Sequence, residues 1–90
     1  MIIISFDISD DKLRRKFVKY ITKFGYRLQY SVYQIDHSAR ILKNITNDIT
    51  NKFEKLFGQS DSIIIFNLSE ICKITRFGYA KNDNHDIIIV

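Results

Sequence analysis

The run Ile2-Ile3-Ile4-Ser5-Phe6-Asp7 constrains this chain more than any other stretch. β-Branched side chains crowd a helix but pack well on a pleated surface, so the run predicts a buried strand. It stops at a carboxylate, which delivers Asp7 to an edge of the sheet. Ser9 then offers an N-cap for a helix whose first turn holds Asp10 and Asp11, both favourable at the positive end of a helix dipole. Asp7 therefore falls on a strand-to-helix connection, where rigid backbone on either side presents a side chain to solvent. The alternative is that Asp7 only ends the strand and hydrogen-bonds the loop.

The 90 residues are expected to form one domain, and an apolar share of 46% supports a single modest core. A core of that size makes a large partner interface a source of added stability, so an oligomer is expected. No apolar run approaches the roughly 20 residues of a membrane span, and the first residues lack a basic leader segment, so no membrane partner and a cytoplasmic location are expected. Cys72 is the sole cysteine, and His37 and His85 stand apart, which argues against a disulfide or a Cys/His zinc site.

Charge is unevenly placed. Lys12, Arg14, Arg15, Lys16, Lys19, Lys23 and Arg27, half of the 14 basic residues, fall in residues 12–35, where no acidic residue occurs. Solvated helix faces usually mix both signs, so a one-signed segment points to a polyanion, most simply nucleic acid; an anionic membrane surface or a merely soluble face are the alternatives.

Leu13, Phe17, Tyr20, Ile21 and Phe24 recur at helical spacing and predict a helix over residues 10–24, stopped by Gly25. Arg14 flanks its apolar face, and the other basic residues lie mostly away from it. Residues 26–35 alternate, with Leu28, Tyr30 and Val32 on one side and Arg27, Gln29, Ser31 and Tyr33 on a polar side, as one bent strand or two short ones. Ser38 is a cap candidate for a second helix carrying Ile41, Leu42, Ile45, Ile49, Phe53, Leu56 and Phe57, ending at Gly58. Residues 62–68 predict another buried strand. Residues 73–79 offer a further strand, and the β-formers at 87–90 offer a last one, pairing with the chain's own sheet or with another subunit's edge.

Strand, helix, strands, helix, strand predicts an α+β sandwich of ferredoxin-like form: an antiparallel sheet with two helices on one face and an extra C-terminal strand. Residues 1–68 would be the ferredoxin-like domain and 69–90 a C-terminal extension. Gly-rich phosphate loops, hydrolase triads and metal-ligand histidine spacings are absent from the sequence.

Phe-Asp-Ile-Ser-Asp-Asp at 6–11, Leu-Arg-Arg at 13–15 and Arg-Leu-Gln-Tyr-Ser-Val-Tyr at 27–33 together resemble the CRISPR-associated adaptation protein two family. The resemblance covers residue 1 to about 68, with 61–66 as the last shared strand, and leaves out 69–90, where that family varies. It implies a ferredoxin-like homodimer that works with CRISPR integrase subunits on duplex DNA in spacer acquisition. It also implies a metal-dependent endonuclease of RNA or DNA, in which Asp7 from each of two subunits shares Mg²⁺ or Mn²⁺ and is the catalytic residue. Phe6 stands where the family often has tyrosine. Arg14, Arg27 and Tyr33 match family positions linked to nucleic-acid contact or activity, and Lys16 keeps the charge at another; Arg15 and Lys19 join them from the basic segment. One carboxylate cannot satisfy a cation that wants six oxygens, so the metal expectation needs a second subunit. A free-standing, toxin-like metal-dependent ribonuclease on the same fold is the alternative function.

Overall fold

A computed structural model describes residues 1–36, 38–68, 73–75, 77 and 78. In chain order the elements are β1 (Ile2–Asp7), α1 (Asp11–Ile21), β2 (Gly25–Gln29), β3 (Val32–Ile35), α2 (Ala39–Asp48) and β4 (Ser62–Asn67). The four strands form one sheet in the order β2-β3-β1-β4, with each neighbouring pair antiparallel. The isoleucine-rich first strand is central, as its composition requires, because only an inner strand hides a continuous apolar run.

Both helices cover one face of this sheet. Ile2, Ile4 and Phe6 from β1 and Tyr33 and Ile35 from β3 form one buried cluster with Leu13, Phe17 and Ile21 of α1, Ile45 of α2, and Phe53. Phe17 is its hub, meeting Phe6 and Phe53 edge-on at centroid separations of 5.0 and 5.1 Å. Burying each such ring contributes about 1.5–3 kcal/mol. The ferredoxin-like expectation is met in its layers and strand order.

Several local expectations are corrected. The helix cap is Asp10, not Ser9: the Asp10 carboxylate accepts from the Leu13 N–H at 2.8 Å, while Ser9 is drawn toward Asp61. α1 ends at Ile21, so Gly25 does not stop it; Gly25 instead opens β2, where a Cβ would lie 1.9 Å from the Gln34 carbonyl oxygen. Residues 26–35 form two strands joined by a tight turn at Tyr30 and Ser31, with Ser31 at φ 65° and an irregularity between Arg27 and Gln29. Arg27 pairs with Tyr33 and shares its face as expected, but Tyr33 also pairs with Ile4 of β1, so this face is the one the helices cover and Tyr33 is 4% exposed rather than on a polar side.

The second helix also departs from a uniform α-helix. Ser38 caps it as expected, accepting from the Ile41 N–H at 3.3 Å. Its apolar residues Ile41, Ile45, Ile49 and Phe53 are spaced by four, which overruns a 3.6-residue turn by about 40° per step. A π turn at Ile49–Phe53 takes up the excess and keeps Phe53 in the core. A 3₁₀ turn at Glu54–Leu56 follows, and Leu56 is exposed rather than in the core.

Among the described residues β4 lies at an edge of the sheet and is not fully buried. Ile63 and Ile65 pack on the core, whereas Ile64 and Phe66, 53% and 44% exposed, lie on the outer face opposite Ser5 and Ile3 of β1. In the expected strand 73–79, the described residues 73–75, 77 and 78 are not in a strand. The extra strand at 87–90 lies outside the described residues.

Candidate nucleic-acid interface

Helix α1 separates its chemistry by angle. Leu13, Phe17 and Ile21 point inward, while Lys12, Arg15, Lys16 and Lys19 share an arc of about 100° at helical spacing. All four are exposed. Between this stripe and the β2–β3 turn lies an open groove of about 500 Å³. Phe6, Val18 and Tyr33 form its apolar floor, and Arg15, Lys19 and Arg27 its cationic rim. Arg14, Tyr30 and Ser31 complete the walls.

The cations differ in freedom. Arg14 donates from Nη1 to the Ile8 carbonyl at 3.0 Å and from Nη2 to Asp11, with its side chain 25% exposed. The Asp11 hydrogen bond chiefly holds its pKa above the ordinary arginine value. Arg14 is thus fastened to the loop that follows Asp7. Arg15, Lys16, Lys19 and Arg27 have no ion pair among the described residues and remain available to a polyanion. Burial pushes the Tyr33 hydroxyl pKa up, and the nearby Arg27 charge opposes that. Lys16 lies on the stripe but does not line the groove.

Asp7 stands elsewhere. Ile2, Ile4 and Phe6 point to the core, so alternation places Ile3, Ser5 and Asp7 on the outer face, where Asp7 is exposed and pairs in register with Ser62. The sheet therefore separates the carboxylate from the groove. Phe6 belongs to the groove side, with its ring against Phe17 and Tyr33. Among the described residues no group of three or more His, Cys, Asp or Glu side chains comes together, so an ion at Asp7 would need waters, a phosphate or a second subunit for its remaining oxygens.

Sequence reasoning missed Tyr30, Ser31 and Asp61. No Gly or Asn marks the two-residue turn that brings the first pair to the groove. Asp61 accepts from Ser9 N–H and Ser9 Oγ at 2.9 Å each and from the Gly58 N–H at 2.8 Å. These bonds clamp the loop after Asp7 and hold the Asp61 carboxyl below its usual value.

Sheet order and helix placement define a small ferredoxin-like α+β protein, cationic on its helix side and carrying the strand-end carboxylate Asp7 on the other face of the sheet. The family described as CRISPR associated protein Cas2 matches residues 1–76. A CRISPR-associated endoribonuclease Cas2 of Methanospirillum hungatei is 28% identical across 98% of this chain and 97% of its own length. One from Chloroflexus aurantiacus is 35% identical over 77% of this chain and 71% of its own. Among solved structures, a hypothetical protein of Thermus thermophilus superposes with a TM-score of 0.69 at 20% identity, covering 88% of this chain and 93% of that one. Streptococcus pyogenes Cas2 gives 0.63 at 20% identity, covering 77% and 86%. The chain belongs to the CRISPR-associated Cas2 family.

Proposed function

We propose that this protein serves CRISPR spacer acquisition as a homodimer that holds duplex DNA by its backbone and docks integrase subunits. The observation that carries the DNA reading is the stripe Arg15, Lys16 and Lys19, joined by Arg27, which has no carboxylate partner among the described residues. Such cations position phosphates without reading bases, so binding is strong at low salt and indifferent to sequence. Dimerisation is supported by the outer face. Ile64 and Phe66 expose apolar surface there, and packing two such faces together would bring two Asp7 side chains to one cleft.

A second activity, phosphodiester hydrolysis of RNA or DNA, is favoured by the position of Asp7 and by the endoribonuclease names of the relatives. Two Asp7 carboxylates, waters and a substrate phosphate could supply the oxygens that one chain lacks. The two Asp7 side chains would hold Mg²⁺ or Mn²⁺, which when bound would supply Lewis-acid activation of a phosphate and a water. Asp7→Asn separates the roles: cleavage is lost and duplex binding is kept. Loss of both would overturn the division. A CRISPR array and integrase gene beside this gene support the adaptation role, whereas an isolated gene favours the toxin-like ribonuclease.

A further inference from the structure

We infer that the groove between α1 and the Tyr30–Ser31 turn seats an unpaired nucleotide, its base against the tyrosine and its phosphate on the cationic rim. The inference rests on the reading of the helix side as a phosphate-binding face and names what the groove adds to it. A duplex presents phosphates on a convex surface and keeps its bases stacked inside. It satisfies the exposed lysines of α1, but it offers nothing to cover an apolar floor.

The groove has such a floor. Phe6, Val18 and Tyr33 line it beneath Arg15, Lys19 and Arg27, and its volume of about 500 Å³ is that of a small-molecule site. An unpaired nucleotide carries both an anionic phosphate and an aromatic face, matching rim and floor together. An acidic peptide carries the charge without the flat ring.

Tyr30 is the second observation. It is 66% exposed, lies outside the core cluster and still lines the groove. Its charge interaction with Arg14 places its hydroxyl toward that wall, and the core does not need its ring. The turn that carries it is tied down, because the Ser31 carbonyl accepts from the Phe6 N–H at 3.0 Å with Ser31 held at φ 65°. An exposed ring carried on a fixed turn beside unpaired cations is the arrangement that stacks a base. Arg14, fastened to Ile8 and Asp11, serves as a wall. The seat is on the opposite side of the sheet from Asp7 and is independent of hydrolysis there.

The test is fluorescence anisotropy with the full-length protein and three probes: a blunt duplex, the same duplex with a short thymidine tail, and the thymidine strand alone. The wild-type protein should prefer the tailed duplex to the blunt one. Tyr30→Ala should lower the tailed-over-blunt preference by at least about fivefold, the lower limit of what stacking one base on an aromatic ring is worth. Tyr30→Phe, which keeps the ring, should retain it. Equal affinity of the wild type for blunt and tailed duplexes overturns the inference and leaves the duplex reading standing; so does a preference that survives Tyr30→Ala. Binding of the thymidine strand without any duplex binding keeps the seat and overturns the duplex reading. No binding of any probe overturns both.

Discussion

One oxygen of Asp61 holds both the backbone N–H and the hydroxyl of Ser9, each at 2.9 Å, across 52 residues of sequence. The contact joins the loop before β4 to the loop after β1. It fixes the entry to α1 one residue later than Ser9 and leaves Asp10 to cap the helix.

Stability on the acid side should depend on this clamp. The backbone bond from Ser9 chiefly lowers the Asp61 pKa below its ordinary 3.8, with the Gly58 bond next. A depressed folded value means that the contribution is fully present above the unfolded value and is lost as pH falls through the folded one. Asp61→Ala should therefore lower the melting temperature at neutral pH and narrow its gap to wild type toward the acid end. A gap constant from neutral pH to well below the carboxylate range would show that the clamp contributes nothing.

The opposite sign holds at Tyr20. Its hydroxyl donates to Asp48 at 2.5 Å, joining α1 to α2, and burial with that bond raises its pKa well above the ordinary 10.0. A raised folded value gives stability that is complete below the unfolded value and is lost as pH rises beyond it. Tyr20→Phe should cost about 1 kcal/mol at neutral pH, the usual worth of one partly exposed hydrogen bond. It should also flatten the alkaline limb of a stability curve measured by urea unfolding across pH.

Gly25 is required for space and not for a left-handed turn. An alanine Cβ would fall 1.9 Å from the Gln34 carbonyl oxygen and 2.8 Å from the Ile35 Cα, both backbone atoms that cannot swing away. Gly25→Ala should destabilise by on the order of 1–3 kcal/mol, the cost of overpacking, with amide exchange rising first in the β2–β3 hairpin. Wild-type exchange in that hairpin would refute the account.

The layers of the fold were legible because they follow from burial. The isoleucine run could only be an inner strand, and helical spacing placed Leu13, Phe17 and Ile45 in the core. What could not be read depended on contacts distant in sequence or on unmarked backbone. Ser9 looked like a cap until Asp61 took it. Tyr33 shares a side with Arg27 as its spacing implies, but only the pairing of Tyr33 with Ile4 in β1 turns that side to the helices. Of the expected site, Arg14, Arg15, Lys19, Arg27 and Tyr33 do meet at one groove, because helical spacing and a hairpin edge converge there. Asp7 does not join them, since strand alternation sends it through the sheet to the other face.

That placement shapes the phosphate prediction. Arg14 is engaged by Ile8 and Asp11, so the free cations should carry the salt dependence of binding. Replacing Arg15, Lys16 and Lys19 together by alanine should weaken duplex binding alike for unrelated sequences and reduce the salt slope by about one per lost contact. An unchanged slope in a titration across ionic strength would show that phosphates bind elsewhere.

The role of Asp7 can be tested without any cleavage assay. If two subunits pack through Ile64 and Phe66, each contributes one exposed Asp7 to the same cleft, where two carboxylates repel and a divalent cation relieves the repulsion. A cation held only by the folded dimer adds RT ln(1 + [L]/Kd) to its stability, about 2.7 kcal/mol at a hundredfold excess over Kd. Mg²⁺ or Mn²⁺ should therefore raise the melting temperature of the wild type. Asp7→Asn should abolish that rise and leave the metal-free protein at least as stable, because the charge that repelled is gone while the strand and its pairing with Ser62 remain. Melting curves of the two proteins with and without Mg²⁺ decide the point: an equal response in both would leave Asp7 as a strand terminus and remove the carboxylate pair from the mechanism.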